Sequence, residues 1–426
     1  LAAAPPAAAC RGRAAGPGPL RVTIDSRDVR PGDLFVGLQG SNTDGGRFAP
    51  HALDAGAWGA IVAPEHVSDA RCAAPGVVVC ADDPLAALGS MARAWRRELG
   101  AQVLAITGST GKTSTKDLLA AMLRQDRRVV ASEQNRNTEI GLPLTILGAP
   151  AGTEALVLEM AMRGSGQIAE LTAIAEPDIG VIVNVGPVHL ELLGSLEAIA
   201  AAKAELLYDM RPGATAVVPA GEPLLDVHRR DDLRVVTFGE GGDVASLDGL
   251  ELPFASAHMR LNALAALAAA QAVGARPRGM LDVKLSALRG DRIELPGPIV
   301  VIDDCYNANP MSMRAALVDL RATTEGRRVA VLGDMLELGP DEARFHAEIG
   351  AHAAQRGVDV LVTVGPLAMQ MGLEFDGELH AVPHAAEAAE LARELLRPGD
   401  TVLVKGSRGV GLEVVAQGLQ AAAAKS

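Results

Sequence analysis

The stretch Val103-Leu-Ala-Ile-Thr-Gly-Ser-Thr-Gly-Lys-Thr-Ser-Thr-Lys-Asp117 constrains this chain more than any other. An apolar strand, Val103–Ile106, opens into a glycine-hinged loop and then into a helix-forming run from Lys116 to Arg124. Strand, tight turn and helix N-terminus in that order build a cradle for phosphate. Backbone N–H groups converge, the helix dipole favours negative charge, and glycine lets the chain pass close to the oxygens. Lys112 is placed to reach the β- and γ-phosphates, and the Thr113 hydroxyl to hold Mg²⁺. Gly108, Ser109, Thr110, Gly111, Lys112, Thr113 and Ser114 are therefore the expected nucleotide-binding residues, with a nucleoside triphosphate as ligand. The common loop G-x-x-x-x-G-K-[ST] would carry glycine at position 106, where this chain has Ile106. A glycine-rich turn without nucleotide is the bland alternative, and the flanking strand and helix argue against it.

A chain of 426 residues is too long for one ordinary core, so two or three domains are expected. Aromatic residues make up only 2%, so the cores must be built from Ala, Val, Leu and Ile. A formal charge of −13 argues against a nucleic-acid partner, which normally meets a basic footprint. Cys10, Cys72, Cys80 and Cys305 show no C-x-x-C spacing, so neither a zinc ribbon nor a disulfide framework is indicated, and a reduced setting fits. Leu1–Gly18 is rich in Ala, Pro and Gly but lacks the continuous apolar core of a signal peptide, and the first residue is not Met, which points to a trimmed or incomplete chain. No run reaches the roughly 18 apolar residues of a membrane span. A cytoplasmic protein without membrane insertion is expected.

Three blocks follow one another. Residues 20–98 alternate short apolar strands (34–38, 59–62, 77–79) with turn clusters and end in a helix over 84–99. From 101 onward strands at 103–106, 155–158, 179–184 and 214–218 alternate with helices, the pattern of a parallel sheet buried on both faces. A helix over 258–273 and a linker at 276–289 close that block. The third block repeats the grammar with strands at 299–302, 328–332, 359–364 and 401–404. The expected domains are 1–99, 100–289 and 290–426. Ligands of such sheets gather at the carboxyl ends of the strands.

Four further clusters could carry chemistry. Glu159 follows the strand 155–158 and points to the same crevice as the phosphate loop, where it suits Mg²⁺; an ordinary helix N-terminal acid is the alternative. His189 and Glu191 leave the strand at 179–184 and could ligate metal, although a lone histidine near a strand end is more often structural. Lys203 lies on a largely apolar helix over 195–207, where a lysine usually snorkels to the surface. Asp303-Asp-Cys-Tyr-Asn-Ala-Asn309, with Pro310 and Ser312, places two acids and two amides at a strand exit, and such residues are also common turn formers.

Taken in order, these segments resemble the Mur ligase family, which makes peptide bonds on the peptidoglycan precursor, from Asp25 to about Glu413. Pro31-Gly-Asp-Leu-Phe-Val-Gly-Leu-Gln-Gly40, Asn135-Arg-Asn-Thr-Glu-Ile-Gly-Leu-Pro-Leu144, Asp303–Pro310 and Leu332-Gly-Asp-Met-Leu-Glu-Leu-Gly339 are its most specific stretches, and Thr-Gly-x-x-Gly-Lys-Thr is the family's own loop. The resemblance implies an α/β protein of three domains: an N-terminal UDP-sugar-peptide domain, a central P-loop parallel-sheet ATPase domain and a C-terminal Rossmann-like domain. It implies a monomeric ATP-dependent ligase that joins D-alanyl-D-alanine to UDP-N-acetylmuramoyl-tripeptide through an acyl phosphate. By residue, it implies Lys112, Glu159, His189, Lys203 and Arg292 as catalytic. Thr113, Glu159, His189 and Lys203 would hold two Mg²⁺ ions, with Lys203 as a carbamate. His258, Asn262, Arg292, Asp304 and Asn307 would contact ATP. Ser26, Arg27, Thr43, Asp44, Asn309, Lys405, Ser407 and Arg408 would contact the substrates. Where the family usually follows Asp-Gly with histidine, this chain has Gly46. Other ligases of the same fold, adding glutamate to folate or the third peptide residue, are the near alternatives, and Tyr306-Asn-Ala-Asn309 argues against both. A nucleotide switch is the distant one, and it has no use for Glu159 or Lys203.

Overall fold

The computed structural model describes residues 18–72, 76–133, 135–254 and 256–423, together with the backbone of 9–11. Of the segment Leu1–Gly18, residues 1–8 and 12–17 lie outside the described residues. Among the described residues no helix is long and apolar enough to cross a membrane.

The first unit is a five-stranded sheet in the order Ala9–Arg11, Val77–Cys80, Gly59–Val62, Asp33–Val36, Arg21–Thr23. Only its first pair is antiparallel. The central unit is a six-stranded sheet in the order Arg234–Phe238, Thr215–Pro219, Ile179–Ile182, Gln102–Thr107, Ala155–Glu159, Val129–Ala131, parallel throughout. Leu104, Ile106, Val157 and Val181 bury one face under the helices Lys112–Leu123 and Ala257–Ala272. Val103, Ala105, Leu156 and Ile182 bury the other under Gln167–Ala175 and Leu196–Tyr208. Helices on both faces explain why these strands read as unbroken apolar runs. The alanine run 263–270 is wholly buried and packs against the helix behind the phosphate loop.

The third unit is a six-stranded sheet in the order Asp291–Leu295, Ile299–Asp303, Thr401–Lys405, Arg328–Gly333, Val360–Val364, Glu378–Val382, with one antiparallel pair at its start. The joints between units are shared rather than empty. The helix Pro84–Leu99 gives Ala87 and Leu88 to the first core, and Ala92, Trp95 and Leu99 to the central one. Along the linker, Leu281, Val283 and Leu285 pack on the central core while Leu288 packs on the third.

Two details differ from the expectation. The helix after the loop begins at Lys112 rather than Lys116, and the strand expected over 179–184 ends at Ile182. The short strands Arg21–Thr23, Val129–Ala131, Arg234–Phe238, Asp291–Leu295 and Glu378–Val382 had no clear sequence signal. All five lie at sheet edges, where pairing to a neighbour, not composition, makes the strand.

Candidate active site

Three strand ends converge: Thr107, Glu159 and Ile182 stand at the carboxyl ends of adjacent parallel strands. The loop that leaves Thr107 is braced from the next one. Ser109 and Thr110 donate their backbone N–H to Asn184 Oδ1 at 3.1 and 3.0 Å, and Asn184 Nδ2 donates back to Thr110 O at 3.1 Å. The Ser109 hydroxyl bonds Gly186 on both sides, to its carbonyl at 2.9 Å and from its N–H at 2.8 Å. Ser109 and Thr110 therefore hold the loop's shape, and the amides left to face phosphate are those at the helix start. The first intrahelical bond runs from Thr115 N to Gly111 O, so Lys112, Thr113 and Ser114 have no helical acceptor behind them. Gly111 takes a left-handed φ of 78°, and a Cβ there would lie 2.4 Å from Asn262 Oδ1. Both facts require glycine, and they place Asn262 against the loop's backbone.

Lys112 curls over the loop, donating from Nζ to Gly108 O at 2.8 Å. Burial pushes its ammonium down from the ordinary lysine value, the Glu159 carboxylate pulls it back up, and Arg289 pushes it down further. Glu159 is 2% exposed. Its Oε1 accepts from Asn137 Nδ2 at 2.9 Å, while its Oε2 is buried with no partner among the described residues. An orphaned buried carboxylate oxygen is costly. It is the donor a cation would take up, so the chemistry of the site fits Mg²⁺. Lys203 is also 2% exposed, and no side-chain hydrogen bond or ion pair reaches it among the described residues. Burial, and after it the charge of Lys112, pushes its amine well below the ordinary lysine value. His189 feels both lysines; burial lowers its imidazole, and Glu337, bonded to Nδ1, opposes that. These four side chains thus share one crevice.

Arg289 was missed by the sequence reading, which ended the linker there. Its guanidinium donates to Thr113 Oγ1 at 3.1 Å and stacks 3.9 Å from the centroid of the Tyr306 ring. The linker is moored to the loop's own helix, with Ser286 N donating to Asp117 Oδ2 at 2.8 Å. Arg292, expected at the phosphates, is instead exposed and donates to Thr323 Oγ1 at 3.0 Å. It sits inside a strand, and the alternation of that strand turns it outward. Glu191 is likewise exposed, and its N–H meets Glu337 O at the domain junction.

The remaining residues need several corrections. Lys405 is buried and paired with Asp304 Oδ2 at 2.7 Å, and it also donates to Asn307 O at 3.0 Å, so it is not free for a peptide carboxylate. Ser407 accepts from Leu336 N at 2.9 Å within a buried contact. Asn309 caps the helix Pro310–Thr323 in a reciprocal box with Ser312. Asn307 Oδ1 accepts from Ala308 N at 2.9 Å. His258 bridges Asp319 Oδ2 at 2.9 Å and the Ser256 hydroxyl at 2.8 Å. Arg408 stays accessible, 3.6 Å from Glu413.

In the first unit Arg27 lies 87% exposed on Asp25, beside Ser26. Thr43 O accepts from Gly40 N at 3.0 Å. Asp44 accepts from Gly46 N at 2.9 Å and pairs with His66 at 2.6 Å. A Cβ on Gly46 would lie 2.2 Å from the His66 ring, so His66 fills the space a side chain at 46 would use. Among the described residues no hydrogen bond joins Ser26, Arg27, Thr43 or Asp44 to the phosphate loop.

The Mur ligase middle domain matches residues 106–270 of this chain, the "Mur ligase, glutamate ligase domain" matches 289–408, and the "Mur ligase family, catalytic domain" matches 21–96. UDP-N-acetylmuramoyl-tripeptide--D-alanyl-D-alanine ligase of Bacillus subtilis is 35% identical, covering 93% of this chain and 92% of that protein. Its namesake from Synechocystis is 39% identical over 94% and 92%. The MurF ligase of Thermotoga maritima, solved in complex with ADP, is 30% identical and superposes with a TM-score of 0.85 over 95% of this chain and 98% of that one.

Proposed function

This chain belongs to the Mur ligase family, and from that premise we propose that it is the ATP-dependent ligase joining D-alanyl-D-alanine to UDP-N-acetylmuramoyl-tripeptide. One observation in the site carries most weight: the unpartnered Glu159 Oε2 lies in the same crevice as the phosphate loop and a desolvated Lys203. That arrangement suits phosphoryl transfer to a carboxylate better than mere nucleotide storage. Action as a cytoplasmic monomer is part of this proposal.

The chemistry runs in two steps. A carboxylate oxygen of the tripeptide attacks the γ-phosphorus of ATP; the bond to the β–γ bridging oxygen breaks and ADP leaves. The amine of D-alanyl-D-alanine then adds to the acyl carbon, loses a proton, and expels phosphate from the tetrahedral intermediate. Lys112 and the free amides at the helix start neutralise charge on the transferring group. Asn137 holds Glu159 in place, and Arg289 stands at Thr113, ready to turn to the phosphates. Thr113, Glu159, His189 and Lys203 would hold Mg²⁺, which when bound spreads the charge of the phosphoryl oxygens. For Lys203 to take part it must become an oxygen donor: the neutral amine adds to CO₂, forming an N–C bond and releasing one proton. Asp304 and Asn262 are proposed on the nucleotide side, and Ser26, Arg27, Thr43 and Asp44 on the UDP-sugar side.

Phosphate release should require both UDP-N-acetylmuramoyl-tripeptide and D-alanyl-D-alanine. Release with neither would sink the proposal in favour of a nucleotide switch, and release with a folate acceptor would favour the other ligase. Within the ligase, Arg289→Ala is expected to lower kcat/KM by roughly a hundredfold or more. Arg292→Ala, which loses one exposed bond to Thr323, should stay within about threefold of the parent. Equal effects of the two substitutions in the same assay would contradict the placement of Arg289.

A further inference from the structure

The loop 333–339 leaves the strand Arg328–Gly333 of the third unit and reaches across to the central one. Its path is pinned at each step. Asp334 Oδ1 accepts from Ala368 N at 2.7 Å, Met335 N donates to His346 Nε2 at 2.9 Å, and Leu336 N donates to Ser407 Oγ at 2.9 Å. Glu337 follows with a left-handed φ of 64°, and its carbonyl accepts from Glu191 N at 3.3 Å. Its carboxylate bonds His189 Nδ1 and lies 3.5 Å from the Arg163 guanidinium. His189 is itself left-handed, at φ 54°. Gly339 closes the contact, since a Cβ there would sit 3.3 Å from the backbone of Glu191. Two non-glycine residues thus face each other across a domain junction, both in a sparsely populated backbone region and bonded to one another through their side chains. Strain of this kind gathers where geometry matters to function.

We propose that Glu337, reaching the central unit from the third, positions His189 for the metal site. It accepts the Nδ1 proton of His189 and so fixes the tautomer that leaves the Nε2 lone pair for magnesium. The inference rests on the proposed role of His189 as a metal ligand, and adds a positioning residue that reaches the site from another domain. A metal-ligating histidine usually donates its second ring N–H to a carboxylate, which orients the ring and raises its basicity. Here that carboxylate belongs to the third unit, so a neighbouring domain orients the ring. Without it the imidazole would be free to rotate and to change tautomer, and metal would bind weakly.

The test is a titration of the full-length chain with Mn²⁺, read as free-metal EPR signal, in the presence of a non-hydrolysable ATP analogue. Glu337→Ala should weaken metal binding by roughly ten- to a hundredfold. The Mg²⁺ concentration for half-maximal ligation should rise more than kcat falls. Glu337→Gln keeps an oxygen that can accept from Nδ1 and should recover most of the affinity; a mere interdomain ion pair would not be rescued by the neutral amide. Adding Glu337→Ala to His189→Ala should cost nothing further, because the two act as one unit. If His189→Ala weakens metal binding and Glu337→Ala does not, the positioning role is wrong and His189 keeps its own. If His189→Ala itself leaves metal binding unchanged, the assignment of His189 falls and the positioning role falls with it.

Discussion

Lys112→Ala should leave a folded chain whose ligation rate is lower by roughly a thousandfold. Two observations set that expectation. The ammonium makes one hydrogen bond, to Gly108 O at 2.8 Å, so few native contacts depend on it. It is also a half-buried cation whose charged form is penalised by desolvation and by Arg289, and relieved by Glu159. Removing it takes away a charge placed to follow the γ-phosphoryl group, and removes a desolvated charge at the same time. The rate should therefore collapse while the melting temperature holds or rises. Phosphate release under saturating substrates and a thermal melt of the same preparation check both halves. A variant that retains a tenth of the parent rate would show that the loop's amides, not the lysine, carry the charge. A variant that melts far below the parent would show that Lys112 is structural.

What could be read from the sequence is what is local. The strand, turn and helix around Gly108–Thr113 are encoded within a dozen residues, and Glu159 follows from its place at the end of a neighbouring strand. Asn309, expected at the substrates, is instead a helix cap, although its signal is equally local: Pro310 stands at the first helical position and Ser312 at the third. What escaped depends on residues far apart in the chain. Asn137 is assigned only by its bond to Glu159, and Lys405 only by its pairing with Asp304, one hundred and one positions away. Arg289 and Arg292 are three residues apart and chemically identical. They are told apart by the mooring of Ser286 to Asp117, which aims the first, and by strand alternation, which turns out the second. His66 was invisible until its ring was found against Gly46, where a side chain would otherwise stand. Local patterns thus reported the phosphate cradle, and long-range pairs decided which polar residues remain free to act.

Lys203→Met is expected to separate activity from stability, and in opposite directions. Lys203 is buried without a partner among the described residues, on a helix whose other inward residues, Ile199, Ala200 and Leu206, are apolar. A methionine of similar length fills that space without the charge. If the lysine serves as a carbamate donor to Mg²⁺, its loss removes several kcal/mol of transition-state stabilisation, or roughly three decades in rate. Stability follows the proton. In CO₂-free buffer the folded amine titrates well below the ordinary lysine value, because burial and Lys112 disfavour its charge. Between those two values the unfolded chain binds more protons than the folded one, so the stability of the parent rises with pH across that window and falls as pH drops through it. The methionine variant lacks this group, so its stability should be higher at neutral pH and its pH slope flatter. Adding bicarbonate should raise the activity of the parent, add the mass of CO₂ at Lys203, and leave the variant unchanged. Parent and variant with equal rates would remove Lys203 from the mechanism. Parallel stability profiles against pH would mean that the amine is not desolvated in the folded protein.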